Sequence, residues 1–456
     1  MHTLNFVKKL RKHGLLRAGV LSRFRNISDG RWEIDHHDID GILALFEASF
    51  VRLEGEDILD EARNFSQCYL NRTLVQGDYL EPASIRRAIE YVLDHPFHLS
   101  IPRFNIKHYL EITSGRSTTT GGNNGIVYEL AKLDFNFVQS MHQRELHQVA
   151  RWWGALGLGK ELKLARQNYL EWFMWPLIAA PEPQYSAFRV EMAKPVAFLF
   201  LIDDIFDIYG TVDELILFTE AVERWEVEST KRLPRFMKMS FMALYNTTND
   251  IADKVLKKHG WNPIEPLRET WAAMCRAFLA EKRWLTSGNL PESEVYMRNG
   301  MISSGVPMSL IHMFVMLGEG NKKETMNLLA TLPDLISHSA MIFRLWNDMK
   351  NVKVHGKERG DDGCYADCYL KECCDISSST TSVIENVEEH VVQRLNDAWK
   401  KLNAECLFAS PYSSSLRTAS LNIARMAGIT YSYDDVQRPV ALRDLACSLL
   451  MENIPL

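Results

Sequence analysis

Apolar side chains recur at three- and four-residue intervals along most of this 456-residue chain. From Asp38 to Leu70 the apolar set Ile39, Ile42, Leu43, Leu45 and Phe46, then Ile58, Leu59, Ala62 and Phe65, predicts two amphipathic helices with Asp and Glu on other faces. Ser84, Arg86, Arg87, Ile89 and Val92 begin another, and His95-Pro96 supplies its stop. Between Thr113 and Gly125 a run of Ser, Gly, Thr and Asn predicts a surface loop. Helical periodicity then holds from Ile126 to Ala446, broken at Ala180-Pro181-Glu182-Pro183 and at Ser303-Ser304-Gly305-Val306-Pro307. No strand-length run alternates with period two between turn dipeptides, and no 20- to 50-residue repeat is visible, so the expected fold class is all-α.

Composition refines this picture. With 24 Gly and 16 Pro set against 11 Trp and 21 Phe, breakers are few and aromatics plentiful, as in long helices around an aromatic interior. The 52 Lys and Arg against 58 Asp and Glu leave a net charge of −6, which offers no electrostatic footprint for nucleic acid. No run of apolar residues is long enough to span a membrane. Eight cysteines are too sparse for a disulfide framework and point to a reducing compartment. The cluster Cys364, Cys368, Cys373 and Cys374 fits no usual zinc spacing. Residues 1–28 carry seven Lys or Arg and no acid, as a transit peptide would. Only Ser22 and Ser28 supply serine there and no linker follows, which favours a structural segment; the expected location is therefore cytoplasmic, with a plastid as the alternative.

Candidate chemistry concentrates in two segments. Phe198-Leu199-Phe200-Leu201-Ile202-Asp203-Asp204-Ile205-Phe206-Asp207 places three carboxylates within an apolar helix. Asp203 and Asp207, at i and i+4, share a face, and Asp204 lies one position round. Like charges crowded among apolar groups have raised pKa values unless a cation neutralises them, and carboxylates without nearby Cys or His suit a hard ion such as Mg2+. The competing reading, a solvated acidic turn, is disfavoured by the flanking Phe and Ile. The second segment, Ile342 to His355, sets Asn347, Asn351 and His355 on one polar stripe with Arg344 beside it. This stripe reads either as a ligand set or as the outer face of a helix.

Taken together, Asp-Asp-Ile-Phe-Asp at 203–207 and Arg-Leu-Trp-Asn-Asp at 344–348 resemble the paired metal motifs of class I plant terpene synthases. Glu54 to Ala62, Leu130 to Asn136 and Tyr209 to Leu215 extend the resemblance over nearly the whole chain. Lys257 to Pro263 and Ile302 to Val306 are most similar to the linalool/nerolidol branch, which makes acyclic alcohols. The resemblance implies an N-terminal α-barrel over residues 1–154, lacking its first part, and a C-terminal catalytic α-bundle over residues 155–456. It implies ionisation of geranyl or farnesyl diphosphate by a monomeric enzyme with three Mg2+ ions, Mn2+ being the alternative ion.

By that resemblance, Asp203 and Asp207 hold two of the ions with Asp204 in support, and Asn347, Asn351 and His355 hold the third. Arg344 and Arg166 contact the departing diphosphate; Asn168 stands where a second arginine is usual. Trp175, Phe200, Trp284 and Tyr431 fall at positions expected to line the cavity, although each reads equally as ordinary core. Tyr433, Asp434 and Asp435 resemble a closing loop. The departure is His355, where the family pattern has Glu, and Glu358 is the candidate substitute. That departure keeps two rivals open: a paralogue that binds prenyl diphosphate without turning it over, and a chain-elongating prenyltransferase. The second rival calls for another Asp-rich motif where Asn347-Asp348 stands.

Overall fold

The computed structural model describes residues 24–25, 30–33, 38–76, 83–113, 123–163, 166, 168–354, 363–374, 380–431 and 442–456. Among these residues there is no strand, only one isolated antiparallel bridge between Arg25 and Trp32, and the all-α expectation is met. The chain divides into two compact units, one of residues 1–105 with 399–410 and one of residues 106–398 with 411–456.

The first unit contains α1 (Ile39–Ser49), α2 (Asp57–Gln76) and α3 (Ala83–Asp94). Asp38 caps α1 by accepting the Gly41 N–H at 3.1 Å, which satisfies one of the free donors of the first turn. Ile42, Leu45 and Phe46 turn inward as the periodicity requires and pack with Phe50, Ala62, Leu70 and Ile89. A buried polar set closes the same unit: the Asn403 amide donates to the Phe50 and Arg52 carbonyls, and its oxygen lies 2.7 Å from His98 Nε2. Those carbonyls belong to the turn after α1, so Asn403 satisfies backbone groups that no helix could.

The second unit contains α4 (Asn123–Leu156), α5 (Tyr169–Ala179), α6 (Ser186–Asp204), α7 (Val212–Arg224), α8 (Arg235–His259), α9 (Ile264–Ser287), α10 (Ser293–Ser303), α11 (Val306–Met316), α12 (Asp334–Val354) and α13 (Ser414–Tyr431). Its core is aromatic, with Trp153 against Trp172 at 4.6 Å edge to face and Phe198, Phe206, Phe218, Phe241 and Trp271 buried around them. The break at residues 180–183 has a specific support. Arg189, fully buried on α6, donates to the carbonyls of Ala180 and Glu182 at 2.8 and 2.7 Å, and its remaining donors form a two-pronged ion pair with Glu145 of α4 at 2.7 and 2.8 Å. Two carbonyls freed by the prolines are thus paired, and the guanidinium that pairs them is itself neutralised.

The second break, at Ser303 to Pro307, depends on glycine and proline together. Gly305 has φ +72°, a left-handed conformation that other residues adopt at a cost, and Pro307 needs no donor in the first turn of α11. Ser304 bridges the gap by accepting the Val306 N–H at 3.2 Å and donating to the Met301 carbonyl at 2.6 Å.

One carboxylate of the first unit predicts a pH dependence. Glu47 accepts the Phe97 N–H at 2.8 and 3.0 Å, and burial, opposed by this bond, pushes its pKa from 4.5 up to about 7. Between those values the folded chain holds a proton that the unfolded chain has lost. Stability is therefore greatest below about pH 4.5 for this group and falls as pH rises through about 7. Chemical denaturation across that range should show a loss on the order of 3 kcal/mol from this source, and Glu47→Gln, which keeps an acceptor but no charge, should flatten the profile.

Candidate active site

The carboxylate cluster sits where α6 stops being an α-helix. The regular ladder runs to Asp204, and Ile205–Tyr209 form a π-helical turn, closed by the Gly210 N–H donating to the Ile205 carbonyl at 2.9 Å. The simple i, i+4 face expected for Asp203 and Asp207 is therefore corrected: Asp207 belongs to the wider turn, which shifts it relative to Asp203. The apolar residues on either side fix this geometry, since Ile205 and Phe206 are buried and Phe206 packs against Phe278 at 5.6 Å.

The three carboxylates have different surroundings. Asp204 is buried and fully engaged, accepting the backbone N–H of Arg166 at 2.7 Å on one oxygen and Arg166 Nε at 2.6 Å on the other. Asp203 accepts Arg166 Nη2 and is partly open to solvent. Asp207 is exposed, and among the described residues no guanidinium contacts it. Desolvation raises the pKa of Asp203, with Asp204 and Glu281 adding to the rise and Arg166 opposing it. Desolvation and then repulsion from Asp203 push Asp207 up to about 7, against the pull of Arg166 and Lys282. Negative charge here exceeds what the neighbouring cations balance, as a divalent-ion site requires. Among the described residues no three His, Cys, Asp or Glu side chains converge on one point. Two carboxylates, with water and a phosphate, are nonetheless a usual protein share of a Mg2+ shell.

Arg344, on α12, is also held by carboxylates. It pairs with Asp348 at 2.9 Å and Glu281 at 3.2 Å, donates to the Tyr296 and Ser303 hydroxyls, and lies over the Tyr296 ring at 4.8 Å. Burial alone would weaken this cation, but Asp348 and Glu281 outweigh it and raise its pKa. Asp348 also accepts the Tyr365 N–H at 2.9 Å. Asn347 is half-buried on the same helix, and Asn351 falls near its end. His355, Glu358, Tyr433, Asp434 and Asp435 lie outside the described residues.

An apolar cavity, about 550 Å3 with open solvent included, is lined by Trp175, Leu199, Phe200, Met313 and Phe343 among others. Among its described lining residues Ser304 and Ser309 supply the hydroxyls and Trp175 an indole N–H, and the break at Ser304-Gly305-Val306 forms part of its wall. Trp175 meets Phe343 at 5.5 Å, and the Arg166 guanidinium stacks over Phe200 at 5.2 Å. The cavity thus adjoins Arg166 through Phe200, and Arg344 follows Phe343 directly in the chain. Trp175 and Phe200 line it; Trp284 does not, standing instead beside Tyr296 at 6.3 Å because its place on α9 points it toward the Arg344 cluster. Tyr431 closes α13.

The family model of the terpene synthase metal-binding domain matches residues 155–401, and that of the terpene synthase N-terminal domain matches residues 7–93. The chain belongs to the terpene synthase family. This is a family of lyases that act on prenyl diphosphates, as the resemblance implied. The chain is 41% identical over 441 residues to a probable terpene synthase of Ricinus communis, covering 96% of this chain and 74% of that protein. It is 37% identical over 445 residues to an (E)-nerolidol synthase of Cannabis sativa, covering 97% and 78%. Among solved structures it superimposes with a TM-score of 0.86 and 35% identity on isoprene synthase from grey poplar leaves, in complex with three Mg2+ ions and dimethylallyl-S-thiolodiphosphate, over 98% of this chain and 83% of that one. Among the described residues of this terpene synthase no helix is long and apolar enough to cross a membrane.

Several residues of the site carried little signal in the sequence. Glu281 and Tyr296 reach Arg344 from α9 and α10, a meeting that spacing along the chain does not encode. Leu199 and Phe343 read as ordinary helix core, although Phe343 adjoins Arg344 and could have been suspected on that ground. In the cysteine cluster Cys364 and Cys368 are buried, and burial pushes both thiols up.

The wall of the cavity provides a test. A Cβ placed on Gly305 would lie 1.7 Å from Leu199 Cδ1, in a left-handed conformation besides. Gly305→Ala should cost at least about 2 kcal/mol by denaturant titration. Adding Leu199→Ala should restore the packing share of that loss and leave the backbone share.

Proposed function

We propose that this terpene synthase ionises geranyl or farnesyl diphosphate in a Mg2+-dependent reaction and captures the allylic cation with water, giving an acyclic alcohol of the linalool or nerolidol type. The observation that carries this reading is that one helix lines an almost wholly apolar cavity with Leu199 and Phe200 and ends in an unbalanced carboxylate pair, joined to that wall through Arg166 on Phe200. The metal-binding family model begins at residue 155, which supports a catalytic domain over residues 155–456 after an N-terminal domain over 1–154.

In this reading Asp203 and Asp207 hold divalent ions, and the polar stripe of Asn347, Asn351 and His355, or Glu358 in place of His355, holds a further one. Bound Mg2+ supplies neutralisation of the negative charge that the diphosphate gains as its carbon–oxygen bond breaks. Arg166 and Arg344 donate hydrogen bonds to the departing group, a task for which a planar fork of donors is suited. Arg344 reaches it by exchanging a carboxylate partner for a phosphate one. Trp175, Phe200 and Phe343 exclude water from the prenyl tail and present ring faces to the positive charge left on carbon. Water then adds to that carbon and loses a proton, forming the alcohol.

Purified protein with Mg2+ should release diphosphate and an acyclic alcohol from geranyl or farnesyl diphosphate, identified by gas chromatography, and a cyclic product alone would refute the water-capture step. Asp207→Asn should lower kcat by at least about a hundredfold, equivalent to about 2.7 kcal/mol of barrier, with the fold unchanged by circular dichroism. A second reading, a member that binds prenyl diphosphate without turnover, is favoured by His355 where the family pattern has Glu. Activity confined to His355→Glu would establish that reading, whereas equal activity in both proteins would remove it.

A further inference from the structure

We propose that Arg166 is the resident cation of the aspartate site, occupying Asp203 until a divalent ion displaces it, so that metal entry and release of the arginine tip are a single exchange. The proposal rests on the metal-dependent reading above and deepens it.

Arg166 is attached at two kinds of contact. At its base, the backbone N–H and Nε take both oxygens of Asp204, whose side chain is only 2% exposed, and the guanidinium rests on the Phe200 ring. These contacts are buried on the Asp204 side and engage both of its oxygens. At the tip, Nη2 reaches Asp203, in a pair whose side chains are 43% and 28% exposed. A partly hydrated ion pair is worth little and is readily exchanged, whereas the buried contacts to Asp204 are not. The arrangement is therefore a fixed arginine with one exchangeable end.

The partners of that end define its role. Among the described residues Asp203 has no other cation in contact, and Lys282 touches the Asp207 backbone carbonyl at 3.2 Å rather than a carboxylate. Nη2 reaches one oxygen of Asp203, Oδ2, and a divalent ion that takes that oxygen displaces it. The displaced donor, still anchored through Nε, is then left at the cavity mouth beside Phe200 with a hydrogen bond to give. An oxyanion arriving there would accept it. Metal alone therefore binds less tightly than the two aspartates would allow, and an anion that accepts the freed donor favours metal entry.

The test is the affinity of the full chain for Mn2+ alone, read from the decline of the free-ion signal in electron paramagnetic resonance. It compares the unaltered protein, Arg166→Gln and Lys282→Gln. Arg166→Gln should bind Mn2+ about three- to tenfold more tightly, a direction that loss of structure would not produce, and Lys282→Gln less than about twofold more tightly. Unchanged or weaker binding in Arg166→Gln overturns the proposal. Equal tightening in both variants also overturns it, because the effect is then the general field of a lost positive charge. Absence of Mn2+ binding in all three proteins removes the metal-dependent reading itself, and the proposal with it.

Discussion

Asp203 and Asp207 stand as a crowded, only partly compensated carboxylate pair at the end of the helix whose Leu199 and Phe200 line an apolar cavity, and the rest of the site follows from their need for positive charge. Protein cations meet that need in part. Arg166 reaches Asp203 and engages both oxygens of Asp204, and Lys282 stands near Asp207 without touching its carboxylate. Asp207 consequently retains a proton up to about 7. A chain with a net charge of −6 has no general field to correct the imbalance, so correction has to be local and brought in from outside.

The fold maintains this imbalance by spending regular structure around it. A π turn follows Asp204, the break at Gly305 opens the facing wall, and proline interrupts the chain before α6. Each irregularity is secured by a particular group: the Gly210 N–H closes the π turn, Ser304 bridges the Gly305 break, and the buried Arg189–Glu145 pair takes the carbonyls freed at residues 180 and 182. The same arrangement recurs at Arg344, which is buried only because Glu281 and Asp348 accompany it. Both arginines beside the cavity are thus held by carboxylates in the free protein, and both can offer donors to an anion only by giving up part of that pairing.

Much of this was legible in the sequence, for reasons that also explain what was not. The helices are strongly periodic, and the breaks at Pro181-Glu182-Pro183 and Gly305-Val306-Pro307 were marked by residues that cannot continue a helix. Three aspartates among Phe and Ile identified the site because burial of like charges is costly wherever it occurs. The π turn escaped notice because Ile205 to Tyr209 contains no residue that demands it; packing of Phe206 on Phe278, distant in the chain, accompanies the wider turn. Two partners of Arg344 escaped for the same reason, since Glu281 and Tyr296 come from two other helices, whereas Asp348 follows it at i+4 on its own. Trp284, expected at the cavity, lies with them, a difference of direction along α9 that composition and periodicity cannot supply.

The central claim is that cations entering at Asp203 and Asp207 complete a site whose apolar part receives a prenyl chain. A crystal grown with Mn2+ and an allylic thiolodiphosphate tests it most directly, because anomalous scattering locates the metal independently of the organic ligand. The account predicts metal peaks at the Asp203 and Asp207 carboxylates, Arg166 withdrawn from Asp203, and the prenyl tail between Trp175, Phe200 and Phe343. Metal bound elsewhere, or a ligand lying outside that cavity with the Arg166–Asp203 pair intact, would contradict it.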